Sequence, residues 1–284
     1  MDEIQSRILS IFKSVSKICN ENGLRYFAIN GTCLGAVRHG GFIPWDDDMD
    51  LAMPIEDLAA FLEIAPSLLP RGFELYYFGN IPSYSHIFIK VIDSTTTFIE
   101  PSELSYPQRY KGVWLDITPL SAYPASKHQQ LLFTMKNTAF SRRTAASKLN
   151  ISEMSTPKSR VAWILQQPLI AINRRTNPLD NWFHYLEGFP VNEPLFHAEL
   201  WSPENPLRMV VPSACFGDYI EMPFEDVAIR VPAGYDKYLS LQYHDYMELP
   251  PLEKRRTHGQ HGFVDLQHSY KLYQSGTLYL PTKP

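Results

Sequence analysis

The sequence predicts an α/β domain in which helices flank a mixed β-sheet. Four short segments rich in branched and aromatic residues have the length and composition of strands: 24–30, 48–53, 85–93 and 112–120. Apolar residues recur at helical spacing in 3–20 and again in 55–69. Strands that alternate with helices along a chain favour an α/β arrangement over an all-helical or all-β one.

The chain has 284 residues, of which 44% are hydrophobic, so it can bury a large core. We interpret it as one domain with three parts. Residues 1–125 form the α/β core, residues 126–187 form a basic helical insertion, and residues 188–284 form a segment expected to return to the functional site.

Several classes of protein are disfavoured by what the sequence lacks. No apolar run reaches the roughly 18 residues that a membrane-spanning helix needs, and the N-terminus does not have the pattern of a signal peptide. The cysteines are widely spaced, which argues against a disulfide framework or a zinc knuckle: Cys19, Cys33 and Cys215. We therefore expect a cytoplasmic protein.

Positive charge is concentrated in one part of the chain. Residues 127–175 contain nine Lys and Arg against one acid, a net +8, whereas the whole chain carries −4. This asymmetry predicts a basic surface for an anionic partner. We expect peripheral contact with an anionic membrane and no nucleic-acid partner; a solvated helical face is the alternative.

Four carboxylates lie within five positions of one another: Asp46, Asp47, Asp48 and Asp50. Carboxylates this close raise one another's pKa unless a cation or ordered donors compensate them. Because strand side chains alternate, Asp48 and Asp50 are predicted to share one face. Two carboxylates so placed suit Mg²⁺ or Mn²⁺, which prefer oxygen ligands.

This acidic run has two alternatives to a Mg²⁺ or Mn²⁺ site. Asp46, Asp48 and Asp50 imitate the first ligands of an EF-hand loop, but Leu51 occupies the position of its required glycine. A solvated acidic turn is the second alternative. It is disfavoured because the apolar residues that alternate with the aspartates favour a strand packed on a core.

Asp116 is the best candidate for a third carboxylate, since it interrupts an otherwise apolar strand where an uncompensated charge is costly. An edge-strand acid facing water is its alternative. Lys90 and Arg38 are candidate phosphate contacts, Arg38 through its planar guanidinium fork. The spacing of His258 and His261 does not match a zinc motif, and His261 is expected in a plain surface loop.

The chain resembles the LicD proteins, which share a domain with the fukutin group. The resemblance rests on motifs at both ends of the chain: 30–32, 34–39, 41–50, 86–90, 115–120 and 243–251, followed by Arg255, Arg256 and His258. Of these motifs, the run from Gly41 to Asp50 is the most specific. Thr32 stands where the wider superfamily usually has Ser or Gly, and His244 stands where relatives usually have Gly.

The resemblance implies a nucleotidyltransferase fold. Gly31 and Thr32 would form the turn that holds phosphates, and Asp48 and Asp50 would be catalytic metal ligands, with Asp116 in the same role. Lys90 and Arg38 would contact phosphate, as would residues of the closing motif: Arg255, Arg256 and His258.

The resemblance also implies a reaction, in which a phospho-substituent passes from a CDP-linked donor to a glycan hydroxyl. Phosphocholine from CDP-choline is the expected case, and ribitol or glycerol phosphate from a CDP-polyol is the alternative. The acceptor would be a cell-surface glycan or its lipid-linked precursor. A choline headgroup would require an aromatic cage, for which Trp45 and Trp114 are candidates.

Two interpretations from other functional classes stay open. A nucleotidyltransferase proper would use the same metal ligands and release pyrophosphate. A non-catalytic glycan-binding protein on the same fold is disfavoured because Asp48, Asp50 and Asp116 are all present.

Overall fold

The computed structural model describes residues 1–81, 84, 86–148, 161, 164, 167–168, 185–186, 196–200, 207–255 and 261–281. The helices we label α1 to α6 span Glu3–Glu21, Asn30–His39, Ile55–Leu68, Lys127–Lys148, Tyr235–Tyr243 and Tyr270–Gln274. The strands β1 to β11 span Phe27–Ala28, Asp50–Pro54, Phe73–Tyr76, Ile89–Asp93, Thr97–Ile99, Trp114–Tyr123, Phe196–Leu200, Leu207–Pro212, Tyr219–Phe224, Val227–Pro232 and Phe263–Asp265.

The main sheet is mixed and flanked by helices, which confirms the predicted fold class. Its strands lie in the order β3, β4, β6, β2, β1. β2 and β6 are parallel, and β4 is antiparallel to β6. β7 pairs with the second half of β6, and β8 pairs with β7.

The centre of the sheet is β6, which is longer than the sequence predicts and continues to Tyr123. Pro119 breaks strands because it has no N–H, yet it lies inside β6. β4 pairs with residues 114–117, and β7 pairs with residues 120–123. On this edge of β6, Pro119 therefore falls in the gap between the residues that pair with β4 and those that pair with β7, where no N–H donor is required.

All four predicted strands begin later than expected, and β6 begins at Trp114 rather than at residue 112. The first is only Phe27–Ala28, because the chain turns into α2 at Asn30. The second begins at Asp50 rather than at Asp48, and the third at Ile89 rather than at residue 85. Met49, Leu51 and Met53 are almost fully buried, as predicted for their face, but Ala52 of the opposite face is buried as well, so burial does not alternate along β2.

Helix α1 covers one region of the core. Asp2 and Gln5 form a capping box that fixes its start. Its apolar stripe is buried, with Ile11 and Val15 inaccessible to solvent, and the helix packs against β4 and β6. Gln5 also donates from Nε2 to the carbonyl of Asp46 at 2.8 Å, which ties the helix to the acidic run.

The C-terminal part of the chain packs back on the first part. Helix α5 spans the residues predicted for it, 235–243, and contacts α2. Further along the chain, β11 pairs with β5. Within the region expected to be helical, 126–187, the structure describes α4, and most later residues lie outside the described part of the chain. No described helix combines the length and the apolar composition that crossing a membrane requires.

Candidate functional site

One row of residues crosses three neighbouring strands of the main sheet. Asp50 at the start of β2 is paired with Asp116 of β6, and Asp116 is paired with Lys90 of β4. Residues paired in this way project from the same face of a sheet. The sequence-predicted acids therefore meet on neighbouring strands, with a lysine beside them.

The start of α2 holds Asp50 in place. Asn30 donates from Nδ2 to Oδ2 of Asp50 at 2.9 Å, and the backbone N–H of Asp50 donates to Oγ1 of Thr32 at 2.8 Å. Asp46 is buried, and its carboxylate lies against Gly31, where any side chain would collide with it. The predicted turn at Gly31 and Thr32 is thus the first turn of a helix that abuts the acidic run.

Lys90 is paired with Asp116, and their side chains are 7% and 17% exposed. Its Nζ lies 2.7 and 3.0 Å from the two carboxylate oxygens, and Trp114 donates to the same carboxylate at 3.0 Å. Burial raises the pKa of Asp116, an effect that Lys90 and Trp114 oppose. Two of the three ammonium donors of Lys90 thus face Asp116, so its predicted contact with a phosphate has to coexist with this pair.

Asp48 lies in a strongly unfavourable electrostatic environment. Burial raises the pKa of its carboxyl well above the usual range, and the charges of the four neighbouring aspartates raise it further. Among the described residues, no cation is paired with Asp48.

This charge and the chemistry of the donors fit a hard divalent cation, which Asp48 and Asp50 would hold with oxygen ligands. In the described part of the chain, however, no three acidic, histidine or cysteine side chains converge closely enough to form a metal site. Ligation of Mg²⁺ or Mn²⁺ by Asp48, Asp50 and Asp116 stays a prediction.

His261 lies in an exposed loop, as predicted, but its side chain also contacts the acidic run. Its Nε2 contacts Oδ2 of Asp47, and its ring packs edge-on against Phe98 with centroids 4.8 Å apart. The side chain of Asp47 is only 9% exposed. The C-terminal segment thereby reaches the acidic run, a contact for which 214 residues of sequence separation leave no local signal.

Arg38 and Arg255 both hold backbone of the C-terminal segment. Arg38 donates from Nη1 to the carbonyls of Tyr246 and Glu248 at 2.7 and 3.1 Å. Burial lowers the pKa of Arg38, and the positive charge of Arg255 lowers it further, as expected for two guanidinium groups close together.

Both tryptophans predicted as cage candidates already carry a cation of the protein. Arg255 lies over the Trp45 ring, 5.2 Å from its centroid, and Lys90 lies 4.2 Å from the centroid of Trp114. A choline group would therefore meet rings with a positive charge on one side. Two other predicted contacts, Arg256 and His258, lie outside the described residues.

Sequence reasoning missed a set of polar residues behind Asp50. Asn30 is buried, and its amide oxygen accepts from Gln242 of α5 at 2.8 Å. Tyr238 of α5 contacts Asn30 and donates to Glu199 of β7 at 2.9 Å. Glu199 and Tyr238 are fully buried, and the sole local signal was Asn30 itself, which directly precedes the glycine turn.

The sequence of the chain is similar to those of known proteins. Residues 23–147 match the LicD/FKTN/FKRP nucleotidyltransferase domain. The chain is 24% identical over 263 residues to the lipopolysaccharide cholinephosphotransferase LicD of Haemophilus influenzae, covering 90% of this chain and 94% of that protein.

Two further similarities cover shorter parts of the chain. The chain is 53% identical over 36 residues to the human ribitol 5-phosphate transferase FKRP, which is 13% of this chain and 7% of that protein. It is 28% identical over 136 residues to mannosyltransferase regulator 4 of Saccharomyces cerevisiae, which is 45% of this chain and 11% of that protein.

Replacing Asp48 by Asn is expected to stabilise the metal-free protein. Because the folded state raises the pKa of Asp48, the stabilisation from its bound proton is complete below the unfolded pKa and is lost as pH rises through the folded value. At pH 7.5 in EDTA, the free energy of unfolding of the Asp48→Asn variant should therefore be about 0.5–2 kcal/mol higher than that of the wild type. This is the size of gain expected when strain at a functional site is relieved.

Urea unfolding of the two proteins between pH 4 and pH 8 measures this difference, which should grow with pH. The control is Asp226→Asn: Asp226 is exposed, and a hydrogen bond from Lys13 lowers its pKa, so this variant should not gain stability with pH. Equal stability of the wild type and Asp48→Asn across the range would contradict the electrostatic assignment.

A double-mutant cycle tests the pair formed by Lys90 and Asp116. Lys90→Met leaves a mostly buried carboxylate without its cation, which should cost about 3–5 kcal/mol in unfolding free energy. Adding Asp116→Leu should recover most of that loss, because an apolar pair of similar volume replaces the ion pair. If the losses of the two single variants simply add, the two side chains are not coupled.

Proposed function

Because residues 23–147 match the LicD/FKTN/FKRP nucleotidyltransferase domain, we propose that the chain transfers phosphocholine from CDP-choline to a hydroxyl of a cell-surface glycan or its lipid-linked precursor. At the coarser level it is a LicD-family phosphotransferase. The observation that carries the proposal is the pairing of Asp50 with Asp116 on parallel strands next to Asp48, at the first turn of α2.

The proposed roles follow from the positions of the side chains. Asp48 and Asp50, together with Asp116, would hold Mg²⁺ or Mn²⁺. When bound, this ion neutralises the donor diphosphate and stabilises the CMP leaving group. Gly31 and Thr32 lie in the first turn of α2, and the N-terminal end of a helix favours anions. Their backbone would therefore orient phosphate oxygens beside the carboxylates.

Positively charged residues would complete the donor site. Arg38 and Arg255 place two guanidinium groups near Trp45, where they would attract the anionic donor. Lys90 would hold Asp116 in one orientation during the reaction and lend its remaining N–H to a phosphate oxygen.

A CDP-polyol donor is the second candidate. It is favoured by the 53% identity over 36 residues to a ribitol 5-phosphate transferase and by the cations that already lie over Trp45 and Trp114. A polyol has no positive charge, so it would not be repelled by these side chains. A nucleotidyltransferase would differ from both in releasing pyrophosphate.

A donor panel tests the proposed reaction. With Mn²⁺ or Mg²⁺ and a panel of glycan acceptors, CDP-choline should yield CMP, and CTP should yield no pyrophosphate. Asp48→Asn, Asp50→Asn and Asp116→Asn should each lower kcat/KM by more than about 100-fold, since loss of a cation ligand removes several kcal/mol of transition-state stabilisation.

The Asp226→Asn variant, altered far from these residues in the sequence at an exposed ion pair, is the control and should keep full activity. CMP release from CDP-ribitol or CDP-glycerol alone would replace the choline donor by a polyol. Pyrophosphate release from CTP would replace the transfer reaction itself. Release of neither product by the folded wild type would leave the non-catalytic alternative.

We also propose that α4 contacts an anionic membrane, where lipid-linked acceptors reside. One face of the helix is anchored, with Phe133 and Asn137 inaccessible to solvent. The other face exposes Leu131, Leu132 and Met135 by 59%, 42% and 59%. The sequence of this 22-residue helix contains five basic residues and no acid: Lys127, Lys136, Arg142, Arg143 and Lys148. Exposed apolar side chains among basic ones suit the surface of an anionic bilayer.

Co-sedimentation with vesicles tests this contact. The wild type should bind phosphatidylcholine vesicles that contain phosphatidylglycerol and should release them at high salt. Replacing Leu131, Leu132 and Met135 together by Ser should weaken binding by more than about tenfold, because the apolar part of the contact is lost. The control variant replaces the exposed Leu68 and Ile220 by Ser and should bind as the wild type does. Binding that ignores anionic lipid and salt would exclude the contact.

A further inference from the structure

The backbone of Asn30 adopts an unusual conformation at the functional site. Its φ is +51°, a left-handed value that is uncommon outside glycine, although asparagine tolerates it better than most residues. Non-glycine residues in this region are strained and persist when their surroundings fix them. At Asn30, those surroundings come from parts of the chain that lie far away in sequence.

Two hydrogen bonds and one further close polar contact connect Asn30 to α5. Its backbone N–H donates to the Tyr238 hydroxyl at 3.2 Å, and its Oδ1 accepts from Gln242 Nε2 at 2.8 Å. The Tyr238 hydroxyl also lies 3.3 Å from Oδ1 of Asn30. Helix α5 therefore contacts both the backbone and the side chain of this residue.

The direction of each bond follows from the available protons. Glu199 accepts from the Tyr238 hydroxyl at 2.9 Å, which leaves the oxygen of that hydroxyl to accept from the N–H of Asn30. With Gln242 donating to Oδ1, the NH₂ group of Asn30 is directed at Asp50, where Oδ2 accepts at 2.9 Å. A carboxylate can only accept, so this orientation is the one that suits both ends of the chain of bonds.

We propose that Tyr238, Gln242 and Glu199 are positioning residues that, by fixing the Asn30 amide, hold the Asp50 carboxylate in the orientation that binds a divalent cation. The inference rests on the proposed function, in which Asp50 is a cation ligand. It extends the site to β7 and α5, which lie beyond the residues that match the family domain, 23–147. Groups that orient a metal ligand typically change affinity by 10- to 100-fold when removed.

A purely structural role for these bonds predicts a different result. Loss of a buried hydrogen bond lowers the free energy of unfolding whatever its place in the fold. A positioning role additionally changes the affinity for the cation. The experiment therefore measures both quantities on the same variants.

Tyr238→Phe removes the hydroxyl and keeps the ring, which packs against Phe216 with centroids 5.2 Å apart. Titration of the full chain with Mn²⁺, followed by the electron paramagnetic resonance of the free ion, should show affinity at least about tenfold weaker than in the wild type. Gln242→Leu, a second variant at a partly buried position, should weaken Mn²⁺ binding in the same direction. Gln242→Leu tests the same proposal if Tyr238→Phe does not fold.

The matched control is Tyr110→Phe, which removes another buried hydroxyl, one that donates to the carbonyl of Leu104 at 2.7 Å. It should lose stability to a comparable extent and bind Mn²⁺ as the wild type does. Unchanged Mn²⁺ affinity in both Tyr238→Phe and Gln242→Leu, with a wild type that binds, would overturn this inference alone. Failure of the wild type to bind Mn²⁺ would overturn the proposed function and this inference with it.

Discussion

The repulsion among the aspartates of residues 46–50 is the constraint that organises this protein. Carboxylates so close together are tolerated only where donors, cations or space are supplied to each of them. The structure supplies them from separate elements: Asn30 bonds Asp50, His261 contacts Asp47, and Asp46 fits against a residue without a side chain, Gly31. Asp48 is the exception among the described residues, and its raised pKa marks the place where positive charge is lacking.

The same constraint explains why both ends of the chain converge on one region. The N-terminal helix donates to the backbone of the acidic run through Gln5, and the C-terminal segment contacts it through His261. Arg38 fixes the loop that follows α5 by donating to the carbonyls of Tyr246 and Glu248. Residues 23–147 carry the matched domain, but partners of its acids come from outside that range.

The row of Asp50, Asp116 and Lys90 shows how a sheet can bring opposite charges together without exposing them. The three residues are register partners on β2, β6 and β4, so the pleat alone places their side chains side by side. Burial of Lys90 and Asp116 is tolerated because each is the other's partner, and Trp114 supplies both a donor and a ring face. An ion pair of this kind specifies one arrangement of the site more than it adds stability.

The sequence by itself determined what depends on local pattern: the mixed α/β class, α5 at residues 235–243, the burial of Met49, Leu51 and Met53, and the acidic run that lies among them. Tertiary structure alone decided that β6 continues past Leu120 to Tyr123, that Lys90 binds Asp116, that His261 reaches Asp47 and that Tyr238 with Glu199 stands behind Asn30. The physical reason is that periodicity and turn chemistry act over a few residues and leave a readable pattern. A hydrogen bond between residues some two hundred positions apart depends on how the whole chain packs, and no local run of residues encodes it.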